Sequence, residues 1–132
     1  MIPNTIKQEQ EISELLSRGY VQESGSNANG SYIKFSDGTM ICYLNIIVTN
    51  QAIATQYGTS SLYFGTRTWT FPVAFIKEPN VSCGQFKWGT GGSWGGTWDV
   101  TKTIATLIGY DMYSRASGTK TIISATAIGK WK

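Results

Sequence analysis

Eleven consecutive residues, Trp88-Gly89-Thr90-Gly91-Gly92-Ser93-Trp94-Gly95-Gly96-Thr97-Trp98, hold three tryptophans, five glycines and no charge. Glycine imposes little order, so the stretch reads as a poor helix and a poor strand interior. Indole rings are costly to leave in water unless something covers them. A Gly-rich loop presenting Trp88, Trp94 and Trp98 therefore suits a flat, hydroxylated ligand such as a sugar ring, whose C–H face stacks on indole. Lys87 and Asp99 flank the stretch and would bond hydroxyls or an anionic group. Tyr57, Tyr63 and Arg67, in a polar connection upstream, form a second candidate surface. The competing reading is that the tryptophans fill a core between short strands.

Few residues offer catalytic chemistry. After residue 24 the only carboxylates are Asp37, Glu78, Asp99 and Asp111. Asp37 belongs to an Asp-Gly turn and Glu78 to the turn before Pro79, which leaves Asp99 and Asp111 as the one conceivable glycosidase pair. The chain has no histidine, so a histidine base is excluded, and no Gly-x-Ser-x-Gly elbow is present. Gly89-Thr90-Gly91-Gly92 is not followed by Gly-Lys-Ser/Thr, so it is no phosphate loop. Cys42 and Cys83 are too few for a zinc site; they read as two reduced, buried thiols, with a disulfide between them as the alternative. Neither a metal nor a cofactor is expected, and no catalytic residue is assigned.

The composition fits this picture. Only 14% of the 132 residues are charged, against about 25% in ordinary soluble domains. Fifteen glycines and 13% aromatics suit an all-β protein with tight turns, or a subunit that hides surface in an oligomer. The net charge of +3 is small, and the basic residues stand singly, so nucleic acid is not an expected partner. Residues 1–23 carry four acids and two bases, and residues 24–132 four acids and nine bases. The architecture is therefore expected to change near residue 24. The N-terminus lacks the basic region and apolar run of a signal peptide or membrane anchor. Synthesis in a cytoplasm without membrane insertion is expected.

The elements that would position these side chains follow from pattern. Residues 4–18 are the helical candidate: Thr5 and Gln8 form a capping box and Gly19 closes the helix. So short a helix must pack on the body or on copies of itself. Residues 24–31, rich in Ser, Asn and Gly, read as a linker. From Tyr32 the texture is β. Residues 32–35 and 39–48 form a hairpin about Asp37-Gly38, with Ile33 and Phe35 facing a core. Residues 49–68 read as a connection. Strands follow over 69–75, interrupted by Pro72, over 81–86, over 103–113 with Ile104, Thr106, Ile108, Tyr110 and Met112 on one face, and over 121–128. Short strands at these spacings predict an antiparallel β-sandwich over residues 32–132, preceded by an N-terminal segment, residues 1–23, that holds the short α-helix.

Three segments carry a resemblance. They are Asn29-Gly30-Ser31-Tyr32-Ile33-Lys34-Phe35-Ser36-Asp37-Gly38-Thr39-Met40-Ile41-Cys42-Tyr43; Phe71-Pro72-Val73-Ala74-Phe75 with Pro79-Asn80-Val81; and Ala127-Ile128-Gly129-Lys130-Trp131-Lys132. In this order they resemble the C-terminal head domain of phage and prophage tail fibres and receptor-binding proteins. Leu44-Asn45 departs from that pattern, which has a glycine after the Cys-Tyr pair. The resemblance implies a β-sandwich in a homotrimer at a fibre tip, attached to an upstream tail fibre or baseplate protein and binding host cell-surface glycan through variable loops. Residues 1–23 would then serve trimerisation or fibre attachment. It implies a virion location reached by lysis, without a signal peptide. A trimeric structural cap and a polysaccharide-cleaving tailspike hydrolase are the alternatives.

Overall fold

The structure, a computed structural model, describes residues 8–10 and 19–132. The helix expected over residues 4–18 lies mostly outside the described residues, and of it residues 8–10 are helical and exposed. The rest is all β. In chain order the strands are β1 (Val21–Asn27), β2 (Gly30–Phe35), β3 (Thr39–Val48), β4 (Thr55–Gln56), β5 (Tyr63–Thr70), β6 (Asn80–Trp88), β7 (Trp94–Val100), β8 (Ile104–Asp111) and β9 (Thr121–Lys130). They form two antiparallel sheets, one ordered β1-β2-β3-β9-β6 and one ordered β4-β5-β8-β7. The sheets pack face to face as the expected sandwich.

Alternation along the strands decides what is inside. Met40, Cys42 and Leu44 of β3, Phe86 of β6, and Ile123, Ala125 and Ala127 of β9 meet Trp69 of β5 and Ala105 and Leu107 of β8 in one buried cluster. Phe71 and Phe75 close it with Trp69 in an edge-to-face series, with ring centroids 5.0 and 5.1 Å apart. Each such ring removed from water stabilises the fold by roughly 1.5–3 kcal/mol. Cys42 and Cys83 are free thiols.

Several expectations are corrected here. The linker over residues 24–31 is instead the end of β1 and its turn, with Ser24 opposite Ile33 and Asn27 opposite Gly30. An edge strand needs only backbone pairing, and small polar residues supply it. Ile33 and Phe35 turn away from the core. Ile33 lies beside Ile41, and Ile41 beside the exposed Ile128. The inward residues of β2 are Tyr32, which packs on the core, and Lys34. On β8 Ile104, Thr106, Ile108 and Tyr110 do share a face, the outer one, and Ala105, Leu107, Gly109 and Asp111 point inward. The connection over residues 49–68 contains β4 and the start of β5, and β5 stops at Thr70, ahead of Pro72, which has no N–H to continue the ladder.

The strand ends define two poles. At one, Thr39 pairs with Lys130, Asn80 with Ile128 and Thr70 with Ile104, and the chain enters there as the Ser36 amide bonds the Tyr20 carbonyl at 2.8 Å. The three resembling segments converge on this pole. The Trp131 indole donates to the Phe35 carbonyl at 2.8 Å, its ring lies under the Lys34 ammonium at 5.1 Å, and a side chain at Gly129 would press on Phe75 and Pro79. At the opposite pole Val48 and Trp88 both pair with Thr121. There residues 49–62, 89–93 and 112–120 meet, tied by the two hydrogen bonds between Ile53 and Arg115 at 2.8 and 2.9 Å.

Candidate functional site

The glycines at residues 95–96 lie in a strand, not a loop, which corrects the reading of residues 88–98 as one loop. Gly65, Gly109 and Gly95 stand side by side across β5, β8 and β7, all on the inner face. A Cβ on Gly109 would enter the Phe86 ring, and one on Gly95 would lie 2.6 Å from the Cys83 sulfur and 3.1 Å from Phe86 Cβ. The missing side chains let the facing sheet come close. β7 thus begins at Trp94, β6 ends at Trp88, and only residues 89–93 join them.

One residue along from this glycine row, on the outer face, stands a row of rings. Phe64 pairs with Tyr110, and Tyr110 with Trp94. Trp94 stacks on Tyr110 at 5.7 Å and 25°. Phe64 meets Tyr57 edge-on at 5.7 Å and Trp98 edge-on at 6.0 Å. Gly96, opposite Ile108, adds no side chain to this face. A bulge between Thr97 and Asp99 shifts the register beside Trp98, and a cleft of about 440 Å³ is lined by Trp98, Asp99 and Thr106. The rings remain open to water: Tyr57 is 54% exposed, Trp94 45% and Trp98 63%.

The structure thus gathers Trp94, Trp98, Asp99 and Tyr57 on one face and disperses the other candidates. Trp88 points inward onto the core cluster, and its indole donates to the Ala116 carbonyl at 2.8 Å. Lys87, its neighbour, faces the outside of the other sheet beside Ile122. Tyr63 packs on the core. Arg67 lies on the inner side of β5, its guanidinium donating to Asn50 and Gln51. Tyr57, Tyr63 and Arg67 are therefore not one surface. Phe64 and Tyr110 complete the aromatic face and were not singled out in the sequence. Their signal is the β5 alternation of Phe64, Thr66 and Thr68 against Tyr63, Gly65, Arg67 and Trp69.

Asp99 and Asp111 do not make a catalytic pair. Asp99 lies opposite Thr106, five residues from Asp111 along β8, a separation of about 17 Å at strand rise. Asp111 is buried and fully engaged. Its Oδ1 accepts from the Tyr113 amide at 2.9 Å, and its Oδ2 from Ser93 Oγ at 2.8 Å and Arg115 Nε at 3.0 Å. Burial pushes this carboxyl up, but those donors outweigh it and hold it below the ordinary value.

A scan against family models finds no match, and a search of curated proteins finds none. Solved structures do match. An N-truncated R1-type pyocin tail fibre aligns with 97% of this chain and 98% of its own, at TM-score 0.58 and 16% identity. A C-terminal fragment of the P. aeruginosa R1 pyocin fibre aligns over 83% of this chain at TM-score 0.54 and 19% identity. The corresponding R2 fragment aligns over 82% at TM-score 0.52 and 15% identity. This chain has the fold of R-type pyocin tail-fibre C-terminal regions. It spans about 28% and 25% of the two longer fragments. The fold expected from the opening and closing segments is the fold observed, and those segments build the pole at which the chain enters.

Proposed function

We propose that this chain is the receptor-binding head of a phage-tail-like fibre and attaches a particle to host cell-surface saccharide. The observation that carries the reading is the open aromatic face of Tyr57, Trp94 and Trp98, backed by Phe64 and Tyr110. Open rings carried on or beside paired strands offer sugar C–H faces a stacking surface, worth on the order of 1 kcal/mol per ring beyond area burial. Asp99, beside Trp98, supplies a hydroxyl acceptor. Single sites of this kind are weak, and display on a homotrimer joined to an upstream tail fibre or baseplate protein raises avidity by linking binding events. The trimer reading is supported by the outer face of the five-stranded sheet, where Ile33, Ile41 and Ile128 form an apolar row and Tyr43 and Ile47 are exposed.

The test is adsorption of the full chain to host cells, competed by extracted glycan. Trp94→Ala and Trp98→Ala should each weaken adsorption and leave the melting temperature nearly unchanged. Retained adsorption in both variants would overturn the assignment of this face. Release of reducing sugar ends would favour the hydrolase instead.

A further inference from the structure

At the pole opposite chain entry one cation is built in rather than left on the surface. Arg115 has its backbone bridged to the fully buried Ile53 on both N–H and C=O. Its Nε is committed to Asp111, whose side chain is only 2% exposed. Its guanidinium lies over the Trp88 ring at 4.8 Å and the Tyr113 ring at 5.4 Å. Gly91 comes so near that a Cβ there would lie 2.9 Å from an Nη atom. Among the described residues Nε is the only atom of the fork with a protein acceptor, and no buried polar side-chain atom lacks a partner. Both Nη groups therefore reach solvent with no acceptor among the described residues.

The surroundings favour a negative ligand. Residues 49–62, 89–93 and 112–120 hold Arg115 and Lys120 and no carboxylate. Among the described residues the one acid at this pole, Asp111, is already paired with Arg115. Tyr113, 69% exposed, leaves an open ring beside the guanidinium. A fixed fork with a free Nη edge and an adjacent ring matches a planar or tetrahedral oxyanion carried on an apolar-faced ring.

We propose that Arg115, held between Trp88 and Tyr113, is an oxyanion-binding site that selects acidic saccharides by taking their carboxylate or phosphate on its free Nη edge. The identity of the ligand as a saccharide rests on the adhesin reading; the oxyanion site does not. The site and the aromatic face share the end of β8 but lie on opposite sides of its sheet, since Asp111, which fixes Arg115, points inward and the preceding Tyr110, paired with Trp94, points outward.

The experiment titrates the full chain with three probes: an oligoglucuronate, its carboxyl-reduced neutral counterpart, and glucose 1-phosphate. The readouts are the dissociation constant and the Arg115 Nε–H resonance. At least one charged probe should shift that resonance, and more weakly in high salt; the reduced oligomer should not. Which charged probe acts tells carboxylate from phosphate. Arg115→Lys should weaken charged-probe binding at least tenfold, and Tyr113→Ala several-fold. If Arg115→Lys fails to fold, the wild-type resonance and the Tyr113→Ala variant decide. Equal response to charged and reduced oligomers, no response to either charged probe, or unchanged binding by a folded Arg115→Lys would overturn the site. Adsorption lost in Trp94→Ala while no anion moves Arg115 would sink this inference alone. Anion binding at Arg115 with adsorption indifferent to Trp94 and Trp98 would sink the aromatic-face reading alone.

Discussion

Asp111 sits at the end of β8 as a buried carboxylate with four tasks, since Tyr113, Ser93, Arg115 and, through Ser93, the Trp88 amide all depend on it. Its pKa is held below the ordinary carboxylate value, so its stabilising effect is fully present above about pH 4 and is lost as pH falls through the native value. Asp111→Asn should cost about 1.5–3 kcal/mol at pH 7, the range for hydrogen bonds to a charged group. Urea denaturation of both proteins at pH 7 and at pH 3 checks this: the wild type should lose stability on acidification, and the gap between the two should narrow. Gly109 makes the opposite point, a residue that acts by what it lacks. Gly109→Ala should cost about 1–3 kcal/mol through overpacking against Phe86, measured by the same denaturation.

Strands with one apolar face were legible in the sequence. Residues 39–48 alternate buried Met40, Cys42 and Leu44 with less buried neighbours, and Thr121, Ile123, Ala125 and Ala127 do the same in β9. β7 was not legible, because Gly95 and Gly96 carry no pattern and the reason for a glycine at position 95 lies on another strand, at Phe86 and Cys83. β1 was hidden for a related reason: an edge strand of Ser, Gly and Asn has no buried face to announce it. The tryptophans were legible as a feature, but which ring is core and which is surface depends on one-residue register, and that puts Trp88 inside and Trp94 outside. Trp131, in the closing segment, ties β9 to the β2–β3 turn through its indole N–H. Trp131→Phe removes the donor and the second ring of the indole, and should cost at least about 0.5–1.5 kcal/mol by thermal or urea unfolding, without changing adsorption.

At the scale of the molecule, the two thiols set an alkaline limit. Burial pushes Cys42 and Cys83 up to about 11 from an ordinary 9.0. Their contribution is complete below pH 9 and declines as pH rises toward the native value, because the unfolded chain releases those protons first. The urea midpoint should fall between pH 8.5 and 10.5, and a Cys42→Ala/Cys83→Ala double variant should show a shallower fall. Self-association is the other whole-molecule prediction. Equilibrium sedimentation of the full chain at micromolar concentration should give a trimer, and Ile47→Lys, at a side chain 64% exposed on the apolar sheet face, should shift it toward monomer. A wild-type monomer would overturn the trimer.

The position of β1 also determines how the head would bear tension. The chain enters at one pole and runs along β1 toward the other, held by pairings from Val21 opposite Phe35 to Asn27 opposite Gly30. If a ligand grips the far pole while the shaft pulls on residue 19, the force acts along the strand axis. The β1–β2 hydrogen bonds are then loaded together in shear rather than opened one at a time like a zipper. Resistance to pulling depends on the unfolding barrier and not on equilibrium stability. A marginal edge strand, unremarkable in a melting curve, would act as the element that keeps a tethered particle attached. Single-molecule pulling between residue 19 and a handle in residues 57–61 should give a far higher rupture force than pulling between residue 19 and residue 132, which lies at the same pole and peels β1 away from its first pair.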